Sequence, residues 1–154
     1  MREAIKCARE NLTLEDGGPF GAVVVLDGKI IGRGHNMVLK NNDPSAHAEI
    51  VAIRDACSHL KSYDLSGCEL YASSYPCPMC LSAIMWANID TVYYSNTLEE
   101  TAKIGFRDDF IYDYLRKSEA DEIDGEVLKL HKLKSSEASE VYRKFMEKEK
   151  KTMY

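Results

Sequence analysis

Three side chains suited to binding a transition metal, and one carboxylate beside them, stand out in the 154 residues: His47, Cys77 and Cys80, with Glu49 two positions after the histidine. One imidazole and two thiolates fill three corners of a tetrahedron around Zn²⁺ and leave the fourth for water, which separates a catalytic from a structural zinc site. Zinc lowers the pKa of its water to about 7, so hydroxide becomes available near neutrality. A carboxylate placed as Glu49 is can take a proton from that water and return it to a substrate without being a ligand itself. A structural zinc or a buried metal-free cluster is the competing reading. It fits less well, because structural zinc takes a fourth protein ligand and no further Cys or His stands at short spacing.

The chain must bring these residues together from separate elements. Asp43-Pro44-Ser45 breaks the chain ahead of a helix expected over 46–60, which puts His47 in its first turn. Pro78 suits a first helical position and makes Cys77 the N-cap of a helix over 78–87, where partial positive charge favours thiolate. A helix is expected over 2–13, and strands over 22–26 and 29–32 joined by the Asp27-Gly28 turn. Further strands are expected over 69–72 and 91–94, short helices over 98–103 and 109–116, an alternating strand over 127–133, and a helix over 137–150. This is a mixed α/β sandwich with helices around one sheet.

The length fits one domain, residues 1–154, with a C-terminal helix and tail from about residue 134. The hydrophobic fraction is 45%, and no run approaches the roughly 20 apolar residues of a membrane span. The first residues lack the apolar stretch of a secretory signal, and a cytoplasmic location is expected. Five cysteines are an odd number and argue against a disulfide framework. Cys7, Cys57 and Cys68 read as core residues, and His35 as a polar strand-end residue. A net charge of −5 opposes a phosphate backbone, so a nucleic-acid partner is not expected.

His47-Ala48-Glu49 followed by Pro76-Cys77-Pro78-Met79-Cys80 is the arrangement of zinc-dependent base deaminases. From His47 to Tyr94 the chain resembles the cytidine-deaminase superfamily, and from Gly18 to Phe110 it is most similar to the guanine deaminase branch. The further matches are Gly18-Pro19-Phe20-Gly21-Ala22, Asn42-Asp43-Pro44-Ser45, Leu81-Ser82-Ala83-Ile84, Trp86-Ala87, and Gly105-Phe106 before Asp108. The resemblance implies a three-layer α/β sandwich with a mixed five-stranded sheet, Zn²⁺ as cofactor, and hydrolysis of guanine to xanthine and ammonia. It also implies a homodimer whose C-terminal segment crosses to the partner.

For the pocket, the resemblance implies that Asn36 hydrogen-bonds the purine, that Phe20 and Trp86 border it, and that Ala48 lies against it. It implies too that Asp108 reads its polar edge and that the terminal aromatic, Tyr154, closes the site. Without it, Trp86 reads as core packing, Asn36 as a turn residue, Asp108 as a capping or exposed charge, and Tyr154 as a frayed end. Guanine deaminases carry Cys-Glu where Ser74-Tyr75 stand here, so a phenol replaces a carboxylate near the pocket. Guanosine, another aminated heterocycle, or a tRNA adenosine are alternative substrates, and an inactive zinc-binding dimer module is the alternative that is not an enzyme.

Overall fold

The structure is a computed structural model that describes residues 1–119, 125 and 127–152. The chain separates into two compact units, Met1–Ile111 and Tyr112–Tyr154. The first carries the sheet. Its elements are α1 (Arg2–Leu14), β1 (Gly21–Leu26), β2 (Lys29–His35), α2 (Val38–Asn41), α3 (Ala48–Leu60), β3 (Glu69–Ser74), α4 (Pro78–Trp86), β4 (Thr91–Asn96) and α5 (Leu98–Lys103). α6 (Asp109–Glu119) begins in this unit, and α7 (Ser136–Met146) belongs to the second.

The strands run in the order β2-β1-β3-β4. β1 pairs antiparallel with both β2 and β3, whereas β3 and β4 are parallel and joined through α4. The β1–β2 turn forms because Asp27 and Gly28 both take positive φ, 49° and 74°, the geometry that matches the twist of a two-residue hairpin. β1 alternates between two apolar faces. Ala22 and Val24 belong to a buried cluster with Ala48, Ala52 and Ala56 of α3, while Val23 packs with Ala4 and Cys7 of α1. A strand covered on both sides reads as a continuous apolar run, as Ala22-Val23-Val24-Val25-Leu26 does.

The expected mixed α/β architecture is present, with four strands among the described residues where five were expected. The missing one is 127–133, which forms no strand; Leu128, Leu130 and Leu133 are 48%, 64% and 87% exposed. Alternation alone makes no strand unless a neighbouring strand takes up the backbone hydrogen bonds, and none of the described strands pairs with this segment. α3 starts two residues later than expected because His47 is extended, at φ −67° and ψ 157°. No helix among the described residues is long and apolar enough to cross a membrane.

β2 continues past the expected 29–32 to His35 through two glycines whose side of the strand lies under α3. A Cβ on Gly34 would sit 2.2 Å from the Ala48 carbonyl oxygen and 2.6 Å from the Ala52 nitrogen. On Gly32 it would meet the Ala52 carbonyl oxygen at 2.3 Å. These are backbone atoms and cannot rotate away, so the glycines fix how closely α3 lies on the sheet. Gly34→Ala is expected to cost on the order of 1–3 kcal/mol of stability and to weaken zinc retention by pushing out the start of α3. Calorimetry and metal analysis of the purified variant check both effects.

Candidate metal and active site

His47 is the N-cap of α3 and Cys77 the N-cap of α4, with Pro78 in the first turn and Cys80 one turn further. The His47 side chain makes no bond to its own helix and points toward the two sulfurs. The loop before His47 is held by Asp43, whose Oδ1 accepts from the Ser45 backbone N–H at 2.8 Å and its hydroxyl at 2.6 Å. The Met37 N–H donates to the Ala46 carbonyl at 2.9 Å, tying this loop to the start of α2.

His47 Nδ1 lies 3.5 Å from Cys77 Sγ and 3.6 Å from Cys80 Sγ. Zinc–nitrogen and zinc–sulfur bonds at tetrahedral angles require N···S separations of about 3.5 Å. The three donors, all within 4.8 Å of one another, therefore already stand at the corners that zinc demands. Among the described residues they are the one cluster of this kind. The family's cofactor is zinc, and His47, Cys77 and Cys80 form a group that could hold it and would leave one coordination position open.

The electrostatics of these atoms suit that role. A hydrogen bond from Cys80, with the nearby His47, pulls the Cys77 thiol down to about 4, although burial opposes it. The same bond and burial push Cys80 upward, so without metal one thiolate is shared by the pair. Hydrogen bonding to Cys77 raises His47. Metal binding requires the deprotonated ligands and displaces the remaining protons. Glu49, in the first turn of α3, is 8% exposed and lies 3.5 Å from Cys80 Sγ through Oε2. Burial raises its carboxyl above the ordinary carboxylate range, which disposes it to accept a proton.

A cavity of about 570 Å³ opens beside this cluster and is lined by both His47 and Glu49. Of the residues expected at the substrate, Phe20, Asn36 and Asp108 line it. Phe20 meets Phe106 edge to face at a centroid distance of 4.9 Å. Asn36 is 5% exposed, and its side-chain oxygen accepts the Val38 N–H at 3.2 Å. Burial raises the Asp108 carboxyl, with the negative charge of Cys77 adding to the effect. Ala48 is buried under α3 rather than on the cavity wall, and Trp86, at the end of α4, does not line the cavity and is 67% exposed. Tyr154 lies outside the described residues.

Tyr75, expected near the pocket, lines the cavity with its ring edge to face with Tyr94 at 4.9 Å. The cavity also uses residues that sequence reasoning did not single out, and Val38, Leu39, Phe110 and Ile111 give it apolar walls. Asn11 is a further one, on α1. It donates through Nδ2 to the carbonyls of Gly18 and Asn36, both at 2.7 Å, and so ties two wall segments together. An asparagine inside a helix gives no local sign of such a role. The expected core cysteines divide: Cys7 and Cys68 are buried, whereas Cys57 is partly exposed.

The comparisons with known proteins agree with this site. Residues 1–96 match the family model of the cytidine and deoxycytidylate deaminase zinc-binding region. The guanine deaminase of Bacillus subtilis is 49% identical over 117 residues, 76% of this chain and 75% of that protein. A crystal structure of guanine deaminase from Bacillus subtilis superimposes with a TM-score of 0.91 and 40% identity, covering 99% of this chain and 95% of that one. The lower identity accompanies the longer alignment. A tRNA-specific adenosine deaminase of Aquifex aeolicus is 46% identical over 77 residues, about half of each chain (50% and 51%). The donor geometry, the buried carboxylate and these matches agree: the chain belongs to the cytidine and deoxycytidylate deaminase zinc-binding family, on its guanine deaminase side, and is a zinc-dependent aminohydrolase.

Proposed function

We propose that the protein hydrolyses guanine to xanthine and ammonia, with Glu49 moving the protons. The observation that carries this is the buried Glu49 carboxylate on the wall of an aromatic-lined cavity, next to the His47, Cys77 and Cys80 donors. The relatives named guanine deaminase supply the substrate. When bound, zinc supplies water acidified to near neutrality as the nucleophile.

The chain's own residues do the rest. Glu49 takes a proton from the nucleophile and delivers it to the ring nitrogen beside the aminated carbon. It then carries the second proton to the departing amine. The carbon–nitrogen bond breaks as the new carbon–oxygen bond is completed, and water's two hydrogens end on the ring nitrogen and on ammonia. Asn36 orients the ring through its side-chain amide, and Phe20 covers one edge with Phe106 fixed against it. Asp108 accepts from the polar edge of the ring.

Two parts of this reading concern the whole assembly. The protein acts in the cytoplasm as a homodimer, and the segment from about residue 134 crosses to the partner, bringing Tyr154 over the partner's cavity. The family resemblance supports this arrangement. The exposed apolar face of α7 supports it too, with Val141 at 64% and Tyr142 at 77% exposure.

Ammonia release by the zinc-loaded protein from guanine, guanosine, adenine, cytosine and a tRNA anticodon stem-loop tests the substrate. Guanine turnover with the others slow is expected, and preferred turnover of the stem-loop would replace guanine with a tRNA adenosine. Glu49→Gln is expected to lose at least about a hundredfold in kcat with one zinc per chain retained, since general acid–base transfer contributes roughly 10²–10⁴-fold. Normal turnover in that variant would sink the mechanism. Removal of residues 151–154 is expected to lower kcat/KM while leaving the unfolding temperature in place, and an unchanged rate would take Tyr154 out of the site.

A further inference from the structure

Away from the metal donors, a second group of titratable side chains surrounds His35 at the end of β2. Its Nδ1 lies 3.1 Å from Glu10 Oε2 on α1, and its Nε2 lies 2.8 Å from Asp16 Oδ2 in the loop that follows α1. Lys40 Nζ on α2 reaches the same Asp16 oxygen at 3.0 Å. The His35 and Asp16 side chains are only 16% and 12% exposed, so solvent screens the bond between them weakly. The ring thus bridges a carboxylate on α1 and one in the loop that follows it.

The segments joined here are the ones that wall the cavity. The Asp16 carbonyl accepts the N–H groups of Leu39 and Lys40 at 2.9 and 3.1 Å. Asn11 bridges Gly18 and Asn36 as described above. Gly17, Gly18, Asn36, Val38 and Leu39 line the cavity, whereas His35 does not. There is little slack in this wall, because a Cβ on Gly17 would overlap the Asn36 side-chain oxygen at 2.0 Å.

We infer that His35, bridging Glu10 and Asp16, is a positioning residue that fixes the cavity wall carrying Asn36 and thereby sets substrate affinity. The inference rests on the proposed reading of the cavity as the base-binding site. The charged groups around His35 are Glu10 from α1, Asp16 from the loop, and Lys40 beyond it on α2. Arg33, two residues earlier, is engaged by Glu3 at 2.9 Å, and its backbone N–H by Asp55 of α3. Hydrogen bonds from His35 and Lys40 hold Asp16 below the ordinary range, so it stays ionised.

The test compares zinc-loaded wild type and His35→Gln for guanine kinetics at one pH. Glutamine can donate to one carboxylate only. In His35→Gln, KM is expected to rise on the order of tenfold, the equivalent of about one charge-assisted hydrogen bond, with kcat close to wild type. Glu10→Gln, which weakens one arm at an exposed position, is expected to raise KM less. Hydrogen exchange of residues 16–18 and 36–40 reads the same clamp without substrate, and protection should fall in His35→Gln. A wild-type KM in His35→Gln, or equal exchange, overturns the inference. Absence of guanine turnover in the wild type overturns the proposed substrate instead, and the exchange comparison still decides the role of His35.

Discussion

The site depends on two helix N-termini being brought to the same point. α3 and α4 start from extended caps, His47 and Cys77, whose side chains meet one another. Helix N-termini carry partial positive charge, and here both are aimed at sulfur atoms that must be thiolates to bind metal. The position of α3 is set from below by Gly32 and Gly34, and that of α4 by its place as the connection between the parallel strands β3 and β4. A helix displaced by even one side-chain layer would leave the three donors too far apart to share an ion.

Much of this was legible in the sequence because it rests on local chemistry. The spacing of Cys77 and Cys80 gives one helical turn, Pro78 gives its start, and Asp27-Gly28 gives its hairpin wherever it stands between apolar runs. Gly32 and Gly34 were misleading for the opposite reason. Glycine weakens a strand taken alone, but here its missing Cβ is what lets a helix lie close, and that requirement is visible only with α3 in place. The apolar alternation at 127–133 misled because a strand is a property of a pair, and the sequence shows one member. Asn11 and His35 act through partners distant in the chain, which no local pattern records.

Chemistry and recognition use different kinds of contact. Around the donors, burial and charge act together: Glu49 is shielded from water, and Cys77 is held as the thiolate by its neighbours. Across the cavity the walls are mostly aromatic and aliphatic, with a few polar groups such as Asn36 and Asp108 set among them. That combination suits a flat, polar-edged ring. The apolar walls take the faces without specificity, and the few polar groups fix which edge meets the reacting centre.

The metal-donor cluster and the wall of the cavity lie on different parts of the chain. His47, Glu49, Cys77 and Cys80 belong to the first turns of two core-packed helices, whereas the opposite wall comes from 17–20, 36–39 and 106–111. Mutation can therefore explore the second set without dismantling the first. Ser74 and Tyr75 sit at the junction, between the end of β3 and Cys77, where a change of side chain reaches the cavity without altering the donor set. Such an architecture can keep its hydrolytic step while descendants exchange one heterocycle for another, a separation of inheritance between the reaction and its object.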